Sequence, residues 1–277
     1  MENPPTKYTI EQFMDTIEIG GSSFSLNETK LLFNSKASGI YNAYEINVES
    51  GEQTQVTQSE DNAIFAHSYF PQDDRFIFSS DQRGNEISHI FIKELNGKVI
   101  DIIEDSKAKA HFWGWSNDRS KFYYGSNSRD QRFFDLYHVE VNTNNTKGNV
   151  YTSHLVYKNE EGLNPSSISN YGRYIILSEI ITRENNNMYL LDTETAEKKL
   201  LSPHEGNIIF NAQYFSKDDK KLFYLTDENN EFKYLKSYDI ETGITAAEHK
   251  EDWDIAYAYL SKNGKFKVIA INKDAQT

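Results

Sequence analysis

Two adjacent carboxylates are the first residues of this sequence that could bind a ligand. Glu160 and Glu161 follow one another in a polar stretch. Two carboxylates near a cationic amine form charge-assisted hydrogen bonds with it, so the pair is a candidate substrate-binding site. Lys158 lies two residues before the pair and could instead neutralise a solvated loop. Both interpretations stay open at this point.

Two histidines in predicted strands raise the question of a metal site. His67 lies three residues before Phe70, and His111 lies four residues before Trp115. Imidazole is a common zinc ligand, so the two side chains together would suggest a metal pair. Because side chains alternate between the two faces of a strand, however, these spacings place the histidines on opposite faces. We therefore expect structural roles for both, and no metal.

No catalytic nucleophile can be identified. The chain has no cysteine, which excludes disulfides and thiolate catalysis. A serine nucleophile elbow needs Gly-x-Ser-x-Gly, and the segment Gly114-Trp-Ser-Asn-Asp118 lacks the second glycine. Asp252 and Asp254 share one face, but no partner group for acid–base catalysis can be placed beside them, so we interpret them as solvated. The sequence predicts no catalytic residue and no cofactor, and we expect no enzymatic activity from this chain itself.

Composition argues against several classes of partner. The 277 residues include 42 acidic and 29 basic side chains, a formal net charge of −13. A nucleic-acid or anionic-membrane surface needs a basic patch, so we expect neither partner. The first residues lack the apolar segment of a secretory signal, and no stretch approaches the ~18 apolar residues of a membrane span. We therefore expect a cytoplasmic protein.

A sequence repeat predicts the strands that position these side chains. Each repeat has an aromatic or aliphatic anchor that ends a first strand, then a polar turn and an apolar second strand; the anchors are Phe24, Phe70, Trp115, Ile168, Phe215 and Leu260. Successive anchors lie 46, 45, 53, 47 and 45 residues apart. A third strand and an outer fourth strand follow in five of the six repeats. Aromatic residues of the first strands are expected to pack between neighbouring repeats: Trp113, Trp115, Tyr257 and Tyr259.

Four-stranded units with this period are typical of β-propeller blades. The sequence therefore predicts an all-β protein, a β-propeller of about five and a half blades. The ring is incomplete because the sixth repeat stops after its second strand, and closing seven or eight blades would need about 60–120 further residues. Residues 1–16 are predicted to form a leader with a helical turn capped by Thr9, and residues 17–277 the truncated propeller domain. The longest interval, before Ile168, predicts an extended loop or an extra strand pair around residues 157–162.

The repeat resembles that of a known family. Phe215-Ser-Lys-Asp-Asp-Lys-Lys-Leu-Phe-Tyr-Leu-Thr-Asp227, with Tyr238-Asp-Ile-Glu-Thr-Gly243 downstream, resembles the TolB-type propeller repeat. Tyr8-Thr-Ile-Glu-Gln-Phe13, before the first blade, is similar to the N-terminus of prolyl oligopeptidase family serine peptidases. Ser79-Ser-Asp-Gln-Arg-Gly-Asn-Glu86 is similar to a segment of the acylaminoacyl-peptidase-like branch. The resemblance covers nearly the whole chain and implies the N-terminal β-propeller of such a peptidase, without its catalytic domain.

This resemblance implies a role within a larger enzyme. The family's propeller precedes an α/β-hydrolase domain with a Ser-Asp-His triad, caps its active site and admits short peptides. The expected partners are thus a peptide substrate and that hydrolase domain. In the dipeptidyl-peptidase branch a propeller glutamate pair holds the free amino terminus of the substrate, which is the role that Glu160 and Glu161 would have, although their flanking residues differ from that motif. The alternative is a TolB-like, non-enzymatic propeller that binds a protein or peptide partner. A propeller enzyme with a metal in its channel is disfavoured by the positions of His67 and His111.

Overall fold

The computed structural model of the chain describes residues 7–14, 16–141, 151–261, 263–274 and 276. These residues form one short helix, α1 (Ile10–Met14), and 22 strands. The strands are β1 (Ile19–Phe24), β2 (Lys30–Ser35), β3 (Asn42–Asn47), β4 (Gln53–Gln55), β5 (Ile64–Tyr69), β6 (Phe76–Ser80), β7 (His89–Lys93), β8 (Val99–Asp101), β9 (Ala110–Trp115), β10 (Lys121–Ser126), β11 (Asp135–Glu140), β12 (Ser153–Tyr157), β13 (Asn164–Ile168), β14 (Tyr174–Thr182), β15 (Asn185–Asp192), β16 (Lys198–Leu200), β17 (Phe210–Phe215), β18 (Lys221–Thr226), β19 (Tyr234–Asp239), β20 (Thr245–His249), β21 (Ile255–Leu260) and β22 (Lys267–Ile271). Within this described part, no helix is long and apolar enough to cross a membrane.

Helix α1 begins with the predicted cap. The N–H of Gln12 donates to Oγ1 of Thr9 (3.3 Å), and the N–H of Thr9 donates to Oε1 of Gln12 (2.9 Å). This reciprocal pair is a capping box, which satisfies backbone donors that have no partner inside the helix. Thr9 is therefore confirmed as the N-cap. Residues 1–6 and 15 of the predicted leader lie outside the described residues, and its boundary at residue 17 stays a prediction.

Six sheets contain the described strands. Five sheets have four strands each, paired in chain order as β1–β4, β5–β8, β9–β12, β13–β16 and β17–β20, and the sixth pairs only β21 with β22. Each of the five is a meander, because every strand pairs with the next one along the chain. The predicted all-β fold, an incomplete β-propeller built from four-stranded blades, is confirmed.

The chain divides into two compact units. The first takes residues from 1–113, 124–131 and 142–153, and the second takes the remainder. In the first unit the core includes Leu32, Tyr69 and Phe78. In the second unit it includes Ile176 and Leu222, both fully buried. Burying such a side chain stabilises the folded state by roughly 1.5–3 kcal/mol.

A serine and an Asx residue shape the turn between the first two strands of a sheet. Ser216 Oγ donates to Asp218 Oδ1 (2.7 Å) and accepts from the N–H of Lys221 (2.9 Å). The same two contacts recur at Ser25, Ser116 and Ser261. The hydrogen bond from Ser216, followed by one from the N–H of Lys220, lowers the pKa of Asp218. Side chains of this kind stabilise tight turns by replacing backbone partners.

The hydrogen bonds also locate the anchor of the second blade. In the fifth blade the residue after the anchor, Ser216, donates its N–H to the carbonyl of Lys221 (2.8 Å). In the second blade this contact is made by Phe70, whose N–H donates to the carbonyl of Arg75 (2.7 Å). Tyr69, one residue before Phe70, is therefore the equivalent of the other anchors.

This register changes the expectation for the two histidines. His67 lies two residues before Tyr69, whereas the prediction counted three residues to Phe70. The strand pairing also shifts between Ala66 and Ser68, so His67 occupies a β-bulge. A bulge interrupts the alternation of side chains between faces. The argument that spacing alone separates His67 and His111 is therefore wrong.

The extra length of the third repeat lies elsewhere than predicted. The connection between β12 and β13 has six residues, 158–163, with no extra strand pair in it, and the equivalent connections have five to nine. The strands β11 and β12 are instead separated by 12 residues, where the equivalent connections have five. Within that connection, residues 142–150 lie outside the described part of the chain.

Buried asparagines join neighbouring sheets in each unit. In the first unit, Asn34 of β2 accepts from the N–H of Ala66 (2.6 Å) and donates to its carbonyl (3.0 Å). In the second unit, Asn186 of β15 makes the same two contacts with Phe210 of β17 (2.9 and 2.8 Å). An amide side chain carries both a donor and an acceptor, so it can satisfy both groups of one backbone residue.

One interblade contact in the second unit depends on a glycine. Gly172, in the turn between β13 and β14, has φ of +78°. The hydroxyl of Tyr123 lies 2.6 Å from the point where a Cβ of residue 172 would be. Gly172 therefore meets two requirements at once, a left-handed backbone and room for the tyrosine.

Candidate functional site

The loop between β12 and β13 carries both glutamates of the predicted substrate-binding site. Glu160 and Glu161 are exposed. Oε1 of Glu160 lies 2.5 Å from Nζ of Lys158, and Glu161 forms an ion pair with Lys198 of β16. Each carboxylate thus has a lysine partner, in agreement with the interpretation of Lys158 as a neutralising residue. A role for the pair in binding a substrate amine stays a prediction.

Buried polar side chains hold the backbone of this loop. Asp135 of β11 accepts from the N–H of Asn159 (2.7 Å), and Asn159 accepts through Oδ1 from the N–H of Gly162 (2.9 Å). Asp135 and Asn159 are 1% and 0% exposed. The hydroxyl of Tyr157 donates to the carbonyl of Leu163 (3.2 Å), and burial raises the pKa of this tyrosine to about 12. The loop therefore presents its two exposed carboxylates from an ordered backbone.

Sequence reasoning missed this support for a physical reason. Asp135 lies 24 residues before Asn159 along the chain, and no local spacing rule connects them. Lys198, the partner of Glu161, lies 37 residues after it. The only local signal was the pairing of Lys158 with the adjacent glutamates.

His67 is a half-buried side chain of the first unit, whereas His111 is exposed. Nε2 of His67 lies 2.9 Å from Oγ of Ser79, and its ring stacks on Phe112 at 5.5 Å. Burial lowers the pKa of His67 to about 4, because desolvation disfavours the charged imidazole. In the described part of the chain, no three His, Cys, Asp or Glu residues converge as metal ligands. This packing supports a structural role for His67.

Asp254 also has a structural contact, whereas Asp252 is exposed. Oδ1 of Asp254 accepts from the N–H of Lys233 (2.8 Å), and its carbonyl accepts from the N–H of Asn272 (2.9 Å). Asp254 is half-buried, and its carboxylate joins the loop before β19 to the start of β21.

Asp219 is a buried carboxylate for which the sequence indicated only a role in its own turn. Its side chain accepts from the N–H of Asn170 (2.8 Å), from Nδ2 of Asn170 (2.6 Å) and from the N–H of Tyr171 (2.9 Å). Asp219 is 7% exposed and has a left-handed backbone, with φ of +56°. It therefore joins the turn of the fifth blade to the turn of the fourth, in addition to shaping its own turn.

The aromatic residues of the first strands differ in their contacts and in their exposure to solvent. Trp115 packs edge-on against Phe122 with ring centroids 5.5 Å apart. Tyr257 and Tyr259 of β21 are each 48% exposed and stack on each other. The prediction that all four aromatics are covered by neighbouring blades is wrong for these two tyrosines.

Comparisons with solved structures identify the fold. A TolB from Acinetobacter baumannii superposes with a TM-score of 0.50 at 16% identity, covering 82% of this chain and 53% of that chain. A prolyl endopeptidase gives a TM-score of 0.62 at 12% identity, covering 88% of this chain and 38% of that chain. Dipeptidyl peptidase 4 from Porphyromonas gingivalis gives 0.54 at 11% identity, covering 89% and 42%. The chain thus spans about half or less of the length of these proteins.

A search of curated proteins gave no match. Residues 56–256, which are more than half of the chain, match the family described as the N-terminal β-propeller domain of prolyl oligopeptidase. The matched segment begins shortly before β5 and ends within β21, so it includes four complete four-stranded sheets and part of the last sheet. The chain therefore belongs to the prolyl oligopeptidase N-terminal β-propeller family.

Proposed function

We propose that this chain is the substrate-gating propeller of a prolyl oligopeptidase-like serine peptidase that cleaves short peptides. The family match over residues 56–256 is the observation that carries this proposal. The propeller contributes no nucleophile, because the chain contains no Gly-x-Ser-x-Gly. Its partner is an α/β-hydrolase domain of the same protein, and the propeller restricts access to that domain's active site by size.

The whole gene provides the first test. We expect Gly-x-Ser-x-Gly downstream of residue 277, and we expect the whole protein to hydrolyse short peptides through that serine. Removing the propeller from the whole protein should admit longer polypeptides to the active site. A complete protein without the serine motif, or one whose upper limit of substrate length is unchanged without the propeller, contradicts the proposal.

Within this proposed function, Glu160 and Glu161 bind the free amino terminus of the peptide. Their exposure and the ordered loop beneath them support this role. Both ion pairs are exposed, at 62% and 65% for the glutamate side chains. Exposed pairs contribute only about 0–1 kcal/mol, so a substrate ammonium group can replace the lysines.

A double substitution tests the glutamate pair in the whole protein. Glu160→Gln with Glu161→Gln should raise KM about tenfold for peptides with a free amino terminus and leave it unchanged for acetylated peptides. Glu205→Gln, at another exposed glutamate of the second unit, serves as the matched control. Equal effects on free and acetylated peptides contradict the role of the pair without affecting the gating proposal.

The alternative function is a TolB-like, non-enzymatic propeller that binds a protein or peptide. The similarity to TolB supports this alternative only at the level of the fold. It predicts a complete chain that closes its propeller without a hydrolase domain, so the same downstream sequence distinguishes the two functions.

A further inference from the structure

Two histidines of the second unit lie side by side on neighbouring strands of the third blade. His138 belongs to β11, and His154 belongs to β12, which pairs with β11. Their imidazole rings stack with centroids 5.2 Å apart and an angle of 28° between the planes. Both side chains therefore lie on the same face of the sheet. The side chain of His138 is 20% exposed and His154 is exposed, so a small ion can reach the pair from solvent.

The ring nitrogens of this histidine pair have no hydrogen-bond partner among the described residues. The closest polar group is the carboxylate of Glu140, whose Oε1 lies 4.0 Å from Nε2 of His138, which is beyond the range of a hydrogen bond. The histidine of the second blade differs, because Nδ1 of His89 lies 2.8 Å from Oδ2 of Asp101. A neutral imidazole with a free nitrogen lone pair is a metal ligand.

The separation of the two rings agrees with the geometry of one shared ion. A Zn²⁺ ion lies about 2.0–2.1 Å from a ligating ring nitrogen and hence about 3.2 Å from the ring centre, so a tetrahedral angle between two such ligands places the ring centres about 5 Å apart. The observed separation is 5.2 Å. Both rings have to turn about χ2 from their stacked orientation before one nitrogen of each faces the ion, and this torsion has a broad energy minimum in histidine.

Neighbouring charges have opposite effects on such an ion. Burial, followed by the charges of Lys121 and His154, lowers the pKa of His138, which favours the neutral ring that a metal requires. The carboxylate of Glu140 adds an opposite charge beside the pair. The ammonium group of Lys121 lies 5.8 Å from the ring centre of Tyr123, which packs edge-on against His138. Lys121 should therefore weaken cation binding, and Glu140 should strengthen it.

We propose that His138 and His154 bind a divalent transition-metal ion such as Zn²⁺, with water in its remaining positions, and that this ion links β12 to β11. Such ions prefer imidazole nitrogen, whereas Mg²⁺ prefers oxygen. The two strands are separated by 12 residues, where the equivalent connections have five. Closing a longer connection costs more conformational entropy, so a metal link stabilises this pair of strands more than it would the others. The proposal does not depend on the peptidase function.

Titration of the purified chain with Zn²⁺ at pH 7, followed by NMR, tests the site. We expect the ring signals of His138 and His154 to shift along one binding curve, and no such shift with Mg²⁺. His154→Gln, at an exposed position, should weaken Zn²⁺ binding at least about tenfold, because one of the two imidazole ligands is lost. His89→Gln is the matched control, since His89 also lies on the third strand of a blade but pairs with Asp101. The control should leave the affinity unchanged.

Two further measurements separate this site from general cation binding. Lys121→Met should tighten Zn²⁺ binding about threefold, because it removes a neighbouring positive charge. In thermal unfolding, Zn²⁺ should raise the midpoint of the unmodified chain and of His89→Gln but not that of His154→Gln, because an ion that binds only the folded state stabilises it.

Three results overturn the proposal. One is the absence of any shift of the two ring signals at about 1 mM Zn²⁺. Another is an affinity for Zn²⁺ that His154→Gln leaves unchanged, which assigns the ion to a different part of the chain. The third is an equal response to Mg²⁺, which assigns the shifts to the acidic surface of a chain with a net charge of −13.

Discussion

Asp219 and Asp74 both join neighbouring sheets, but one is buried and the other is exposed. In the second unit, Asp219 is 7% exposed and accepts three hydrogen bonds from Asn170 and Tyr171. In the first unit, Asp74 has a 43% exposed side chain and pairs with Lys30 at 3.0 Å. Water competes for the second contact but not for the first. Burial, rather than formal charge, should therefore decide how much each contact stabilises the fold.

Removing the buried carboxylate should have the largest effect. Asp219→Ala should lower the free energy of unfolding by about 3 kcal/mol, because it removes the buried carboxylate that accepts from three N–H groups of Asn170 and Tyr171. Urea unfolding of the purified chain measures this change. Glu28→Ala is the matched control, since Glu28 has the same left-handed backbone, with φ of +58°, at the equivalent turn position and is exposed. We expect the control to change stability by less than about 0.5 kcal/mol. Equal losses in the two variants would show that the turn, and not the carboxylate, is responsible.

The same contrast between buried and exposed groups applies to the pH dependence of stability. Burial holds the pKa of His67 at about 4, below its ordinary value of 6.5. The unfolded chain therefore binds more protons between these values, so the contribution of this residue is complete above pH 6.5 and is lost as pH falls. This residue alone should lower the free energy of unfolding by about 2 kcal/mol between pH 7 and pH 5.

Urea unfolding at the two pH values measures this loss. His67→Gln should lose about 2 kcal/mol less than the unmodified chain over the same interval. His249→Gln, at a histidine of the second unit whose side chain is 37% exposed, is the control and should keep the original pH dependence. An unchanged pH dependence in His67→Gln would show that His67 does not cause the loss of stability between pH 7 and pH 5.

Removing the exposed ion pair should have the smallest effect. The coupling energy of Lys30 and Asp74, from a double-mutant cycle of Lys30→Met and Asp74→Asn, should be below about 1 kcal/mol. It should decrease further in 1 M salt, because exposed charges are screened. A coupling energy as large as the loss in Asp219→Ala would contradict the role assigned to burial.

The repeat could be predicted from the sequence because each blade contains its own local signals. The turn at Ser216 and Asp218 depends on residues two and five positions apart, and the same pattern recurs in other blades. The second anchor was placed one residue late, at Phe70 instead of Tyr69, because both residues are aromatic and only the hydrogen bond to Arg75 distinguishes them.

The contacts between blades could not be predicted in the same way. Asp219 reaches Asn170 across 49 residues of the chain, and nothing in the turn sequence indicates that one of two adjacent aspartates is buried. The bulge at His67 is likewise invisible in the sequence, because it is a property of the pairing between β5 and β6. The residues within each blade therefore predict its strands and turns. The contacts that side chains make between blades can be identified only from the packed structure.

The contact between Gly172 and Tyr123 limits which sequences this fold can accept during evolution. Gly264 occupies the equivalent turn position, with φ of +70°, but the nearest atom to its missing Cβ is 3.7 Å away. Asparagine tolerates a left-handed backbone, so Gly264→Asn should be an accessible substitution. At position 172 a Cβ would lie 2.6 Å from the hydroxyl of Tyr123, so a substitution there requires Tyr123 to move or to change as well. The order of substitutions along a lineage is therefore constrained at one turn and free at another, although both turns have the same shape.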